Sequence, residues 1–334
     1  MAAQITRRAD NWPVALLFLA PNFLGFLAFM ALPVIFSFIM AFTNWQMTES
    51  IPLEWVGFDN FKDLLTDPRF WQFFGNTAYL MLGIPVGIAG SLFLAIILSQ
   101  KLRGLVMFRT MFYLPTITSG VALFILWKAI YNPEFGPLNT GLESLFEALG
   151  SLGNAPAWLL SRSWAAPLVQ TMQGWNAFWT SLETPDWLLS IAWAKPAIMF
   201  MGIWTAIGGT NMLLYLAGLS NVPPELYEAA EIDGAGRWAM FRHVTWPQLA
   251  PTTFFIVVMS AIGGLQGGFE QARVMTAGGP AESTVTLGYY IYMKGFEEYQ
   301  LGYASTIAWV MFVLIFAMTL VNWKFGKSAF DVEV

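Results

Sequence analysis

The chain has 334 residues, 57% hydrophobic and 16% aromatic but only 11% charged, and its mean hydropathy is +0.56. Soluble domains carry about 25% charged residues, so 16 basic and 21 acidic groups are too few to coat a water-soluble surface of this size. The net charge of −5 argues against a nucleic-acid partner, and the absence of cysteine excludes disulfides and thiolate metal sites.

The charges are unevenly spread. None lies between Asp10 and Glu49, Arg69 and Lys101, Arg109 and Lys128, Lys195 and Glu225, or Glu298 and Lys324, and only His243 can titrate between Arg242 and Glu270. Each gap holds the about 20 apolar residues that cross about 30 Å of hydrocarbon as a helix. Buried charge is costly there and backbone groups must be bonded internally. The gaps therefore predict an all-α membrane protein with six transmembrane helices, over 14–42, 74–99, 108–130, 197–219, 250–272 and 303–323. A soluble core would not be cut into separate charge-free stretches of this length.

In chain order, residues 1–13 form an N-terminal segment with Arg7 and Arg8. The apolar run that follows exceeds the about 7–15 residues of a signal core and lacks a small-x-small cleavage site, so it reads as a retained first helix. With this end inside, the inside segments hold Arg7, Arg8, Lys101, Arg103, Arg109, Arg237, Arg242, Lys324 and Lys327 against seven acids. The outside segments hold seven basic and fourteen acidic groups. That asymmetry, sharpest in the acid-free 100–109 turn, predicts both termini inside, with 324–334 as an inner tail.

Residues 132–195 form a long external insertion with six of the 16 tryptophans: Trp158, Trp164, Trp175, Trp179, Trp187 and Trp193. Leu138–Leu149 reads as a short amphipathic helix and 150–157 as a flexible break. Ser163–Leu182 is uncharged, but Gln170, Gln173, Asn176, Pro167 and Gly174 make it a poor span. It is expected to lie in the interface or to pack externally. The tryptophans fit the headgroup level, and contact with an extracytoplasmic partner is the alternative.

The densest polar stretch after the fourth span is 221–251, NVPPELYEAAEIDGAGRWAMFRHVTWPQLAP. Pro223 and Pro224 end one helix and suit the first turn of the next. Glu225, Glu228 and Glu231 sit toward its positive N-terminal end. Ala229 and Ala230 allow close approach, and Gly234 and Gly236 stop the helix and turn the chain. Glu228-Ala229-Ala230, then Gly234 after three residues, Val244 after nine more, and Pro247 resemble the EAA loop of binding-protein-dependent ABC importer permeases. Trp246, where Leu is common, departs from the pattern. Phe42–Trp45 (FTNW), Asn76-Thr77, 109–115 (RTMFYLP), 132–139 (NPEFGPLN) and 276–280 (TAGGP) resemble the maltose- and glycerol-phosphate-type branch, and 140–195 is the main unmatched insertion.

The resemblance implies a type I importer permease domain over 14–323, with a cytoplasmic coupling loop at 220–249, in a bacterial or archaeal inner membrane. It implies that the loop docks in a cleft of a separate ATPase, through Glu225, Glu228, Ala229, Ala230, Asp233, Gly234, Val244 and Pro247. The implied partners are a second homologous permease, two ATPase subunits, an external solute-binding protein, a sugar or polyol, and membrane lipid, with no nucleic acid. No phosphate-binding loop is present: Gly326-Lys327-Ser328 mimics its end, but Val321 stands where its first glycine belongs. ATP and magnesium are therefore expected on the ATPase, and neither a cofactor nor a metal nor catalysis on this chain. His243, the single histidine, reads as an interfacial residue.

For the substrate pathway the candidates are Trp204, Thr205 and Asn211 of span four and Ser260 and Gln266 of span five, because sugars are held by amides, hydroxyls and aromatic faces. The glycines at 263, 264, 267 and 268 fit either a cavity wall or close helix packing. Import of an amino acid or peptide is the alternative within the class. A secondary carrier is disfavoured by the shortage of mid-membrane acids, and a membrane enzyme or scaffold by the missing catalytic constellation.

Overall fold

The computed structural model describes residues 12–47, 52–100, 103–118 and 120–330; Arg7, Arg8, Lys101 and the end of the expected tail lie outside them. Apart from one antiparallel bridge between Thr43 and Trp55, the described residues form helices and their connections. In chain order, α1 (Trp12–Phe26) continues through a π-helical turn (Leu27–Ala31) into α2 (Leu32–Met40). Then come α3 (Asp59–Thr66), α4 (Pro68–Met81), α5 (Gly83–Ser99), α6 (Leu105–Ile117) and α7 (Gly120–Ile130). The insertion holds α8 (Pro137–Ser151), α9 (Ala157–Leu160), a 3-10 turn (Ser163–Ala165) and α10 (Ala166–Thr180). It leads to α11 (Ile191–Ile207), α12 (Thr210–Ser220) and α13 (Pro224–Ile232). Next, α14 (Arg237–Met240) runs through a second π-helical turn (Phe241–Thr245) into α15 (Trp246–Gln266). Last are α16 (Phe269–Met275), α17 (Leu287–Tyr292), a third π-helical turn (Met293–Glu297) and α18 (Leu301–Phe330).

Among the described residues, five helical runs are long and apolar enough to cross a membrane: Ala15–Met40, Pro68–Ser99, Ile191–Ser220, Arg237–Gln266 and Leu301–Lys324. They correspond to five of the six expected spans. The remaining one, 108–130, is not one straight helix: α6 and α7 are bent by 99° and make the sixth span when counted together. Pro115 lacks an N–H near the end of α6, Thr118 leaves the helical region (ψ 137°), and Gly120 opens α7.

Two further boundaries move outward because charge does not end a helix when it finds a partner. Span four starts at Ile191 and not at 197, since the Lys195 amine donates to Asn76 Oδ1 (3.2 Å) and lies 5.4 Å over the Tyr79 ring. Span two starts at Pro68, and Arg69 reaches Glu282 at 3.7 Å. Span five ends early, at Gln266 and not at 272, where Gly268 turns the chain at φ +87°.

Two compact units divide the chain: Met1–Asp67 with Ile291–Phe312, and Pro68–Tyr290 with Val313–Val334. In the first, the FTNW segment is a knot. The Asn60 amide donates to the Ala41 (3.0 Å) and Thr43 (2.8 Å) carbonyls, and the Thr306 hydroxyl also donates to Ala41 O (3.0 Å). Backbone bonds Gly302 N to Trp45 O (2.9 Å) and Met47 N to Tyr299 O (3.0 Å) join the same segment to the start of α18 and the turn before it. Phe42 sits among Trp55, Phe58 and Phe61, with ring centroids 5.3–5.6 Å away. These bonds satisfy carbonyls that the end of α2 leaves without an intrahelical donor.

In the second unit, α5 packs against α11 and α12. A side chain added at Gly83, Gly87 or Gly90 would meet Met199, Ala206 or Ile207 within 3 Å, so the glycines set this spacing. Ser91 donates to Ala206 O across the contact (2.9 Å). A core of Leu92, Ala95, Leu98, Met212, Tyr215, Leu249 and Ile256 ties α5, α12 and α15 together, and the Tyr215 hydroxyl bonds to Thr253 (3.2 Å).

The buried Asn76-Thr77 pair holds the turn after α16. The Asn76 amide donates to Glu282 O and Val285 O (3.0 Å each), and the Thr77 hydroxyl accepts from Leu287 N (3.0 Å). Replacing Asn76 with Leu removes both carbonyl partners and the acceptor of Lys195. We expect a loss of about 2–4 kcal/mol, read as a lower thermal midpoint in detergent with earlier proteolysis within 277–285; an unchanged midpoint and cleavage pattern would contradict this role.

Candidate functional site

The polar 221–251 stretch folds as its sequence predicts at its first half and differently at its second. Pro223 is extended and Pro224 opens α13, with Glu225 in the first turn. The helix ends in a complete Schellman turn: Ala235 N donates to Ala230 O (2.9 Å), Gly234 N donates to Glu231 O (3.0 Å), and Gly234 adopts φ +74°. Nothing lies within 4 Å of the place where a Gly234 side chain would start, so its requirement is purely conformational.

At helical spacing, Glu225, Glu228, Ala229 and Ile232 share one face of α13, and all four are exposed. Ile232 is 86% exposed, an isolated branched apolar side chain between Glu231 and Asp233. Tyr227 and Ala230 lie on the opposite, half-buried face. There the Tyr227 hydroxyl bonds to Thr245 Oγ1 at 3.0 Å, inside the π-helical turn that feeds α15. Phe241 of that turn stacks on Trp238 (5.5 Å) and packs against the core around Leu249. Thus α13 is a short exposed rod fastened at its back to a long helix that runs into the core.

Asp233 caps the C-terminal end of α13, where the helix dipole disfavours an acid, and no ion pair among the described residues offsets it. Val244 and Pro247, expected on the same loop, instead lie half-buried in the continuous helix Arg237–Gln266. Tyr227, Ile232, Trp238 and Thr245 were not singled out from the sequence. An apolar residue inside an acidic run was the available signal for Ile232; the Tyr227–Thr245 bond had none, because the two are 18 residues apart.

The expected pathway residues separate. Thr205 and Asn211 line one cavity of about 490 Å³ with Thr116, Thr118, Thr210 and Gln271. Trp204 instead meets Trp127 edge-on (5.4 Å), and Gln266 is exposed at the end of α15, where its carbonyl faces Gly288. Neither these two nor Ser260 lines that cavity. All four span-five glycines line a second cavity of about 190 Å³, with Thr77, Ile203 and Gln271; Gly264 is also close-packed on Met81 and Ile84, and Gly268 on Thr286. The threonines were missed because 116 and 118 fall at the break between α6 and α7.

An apolar multi-helix chain with five or six candidate spans is that of a multi-pass membrane protein. Residues 87–325 match the family described as "Binding-protein-dependent transport system inner membrane component", and the chain belongs to that family. It is similar to "Lactose transport system permease protein LacF" of Rhizobium radiobacter, with 32% identity over 93% of each chain. It is also similar to "Arabinooligosaccharides transport system permease protein AraP" of Bacillus subtilis, with 32% identity over 93% of this chain and 88% of that one. Among solved structures, a chain of a bacterial ABC transporter involved in import of the acidic polysaccharide alginate has the same fold, with TM-score 0.74, 24% identity, and coverage of 95% and 96%.

Valine at position 234 should strain the Schellman turn by about 1–2 kcal/mol without any clash. Amide exchange across 230–236 should then quicken while the thermal midpoint of the whole chain barely moves. Unchanged exchange would mean that the left-handed turn is not needed to end α13.

Proposed function

We propose that this chain is the permease subunit of an ATP-driven importer for a sugar, oligosaccharide or polyol, and that α13 is the element through which a separate ATPase drives it. The observation that carries the reading is the exposed Glu225, Glu228, Ala229 and Ile232 face, held rigid by the turn at Gly234 and fastened behind by Tyr227 to Thr245. An 86% exposed isoleucine flanked by acids is what a docking helix presents: one apolar anchor with a polar rim. Asp233, at the wrong end of its helix dipole, fits a cation supplied by the partner.

The sequence lacks a phosphate-binding loop of its own, which supports placing ATP and magnesium on the partner subunits. Lactose and arabinooligosaccharides in the relatives' names, and alginate in the structural neighbour's, support a saccharide cargo. A bacterial alginate ABC transporter of the same fold was solved in complex with an alginate pentasaccharide-bound periplasmic protein, which supports an external binding protein as donor. A second permease and two ATPase subunits fill out the assembly. In it, closure of the ATPases pulls α13, and the pull passes through Thr245 into α15. The cavity lined by Thr205, Asn211 and Gln271 is the proposed passage.

Ile232→Asp tests the docking face. The variant should insert in the membrane normally yet retain at least about tenfold less ATPase subunit on affinity purification, as expected for loss of a central anchor. Undiminished recovery of the ATPase would remove α13 as the docking element.

A further inference from the structure

Two of the sequence segments that the coupling reading leaves unused, NPEFGPLN at 132–139 and TAGGP at 276–280, converge on one cavity of about 560 Å³. Its size lies within the about 300–1,000 Å³ of small-molecule sites. One wall is the turn from Lys128 to Pro133 with Asp186 and Trp187; the other is the backbone from Arg273 to Pro280.

Both walls are built stiffly. Asn132 Oδ1 accepts from Glu134 N (2.9 Å) and Phe135 N (3.1 Å), and Gly136 lies so close to the Asn132 and Ile130 carbonyls that no side chain fits there. The buried Asn139 accepts from Trp187 Nε1 at 2.6 Å and donates to Pro133 O and Pro185 O (3.4 and 3.3 Å), which fixes the indole. Burial pushes the Tyr131 phenol up, so it stays protonated and donates to Ala197 O (2.8 Å). Across the cavity, Thr276 and Thr284 share a hydroxyl contact of 2.7 Å, and Thr284 donates to Gly279 O (3.0 Å). Ala277, Ala281 and Glu282 have φ of 50–56°. Of these only Ala277 lines the cavity, and left-handed backbone at a non-glycine residue is held only where surroundings force it, commonly at ligand clamps.

The chemistry inside is specific. Lys128 and Arg273 outnumber Asp186, and neither Lys128 nor Asp186 is in an ion pair among the described residues. An immobilised indole takes the apolar face of a sugar ring. A carboxylate such as Asp186 accepts sugar hydroxyls, while Lys and Arg hold an anionic group. We propose that this cavity binds an acidic unit of an anionic saccharide. It rests on the reading above for a saccharide cargo and for the position of these loops outside the membrane, and would be a first station before the passage. A lone acidic side chain from an external protein would leave most of the volume unfilled.

The test uses the full-length chain in lipid nanodiscs, with calorimetric titration of digalacturonate and of lactose as its neutral counterpart. Digalacturonate should bind at least about tenfold more tightly than lactose, and Lys128→Met should abolish that preference. Asp186→Asn should weaken both sugars. Lys128 is exposed, so an unchanged thermal midpoint will show that its variant folds. Equal affinity for the two sugars, or no binding of either, overturns the proposal. So does a Lys128→Met defect confined to capture of an external binding protein. Because the readout needs no transport, its failure leaves the importer reading standing, whereas loss of ATPase co-purification would not touch this site.

Discussion

Hydrocarbon offers no hydrogen bonds, so each break in an apolar helix must have its freed carbonyls met from within the protein. Specific side chains do this at several of the helix ends. Arg109 donates to Leu98 O at the end of α5 (2.9 Å), and Ser91 to Ala206 O beside the α11–α12 break (2.9 Å). Asn60 and Thr306 serve the end of α2, and Asn76 serves the turn after α16. A break of this kind is both a joint and a fixed point, which is what a transport subunit needs if its long helices are to move as segments without melting.

The connection from α13 to α15 follows the same logic. A Schellman turn satisfies the C-terminal carbonyls of the short helix, so its exposed face keeps its shape without help from the partner. The Tyr227–Thr245 bond and the Phe241 packing then join that rod to a helix that runs unbroken from Arg237 to Gln266. In the proposed cycle, force applied at Ile232 reaches the core around Leu249 through covalent helix and two side-chain contacts.

The fold was largely legible because charge-free gaps are a direct record of the cost of burying charge. Their limits failed where a charge found a partner: Lys195 sits within a helix because Asn76 and Tyr79 receive it. The α6–α7 bend, between Ile117 and Gly120, was hidden inside an uninterrupted charge-free gap. At the candidate site, Gly234 and the exposed face of α13 were readable from proline, acid and glycine placement. Thr245 and the threonines of the cavity were not, since they depend on which segments meet. Of the polar residues chosen for the pathway, Thr205 and Asn211 share a cavity, but helix phase put Trp204 against Trp127 and left Gln266 at a helix end.

Because the chain has no native cysteine, single cysteines report which side of the membrane a position occupies without background. The most direct measurement is labelling of Ile232→Cys and Phe178→Cys by a membrane-impermeant maleimide in intact cells and in inside-out vesicles. The account predicts that position 178 is labelled in cells and position 232 only in inside-out vesicles. Labelling of both from the same side, or the reverse pattern, would contradict an α13 that faces an ATPase within the cell.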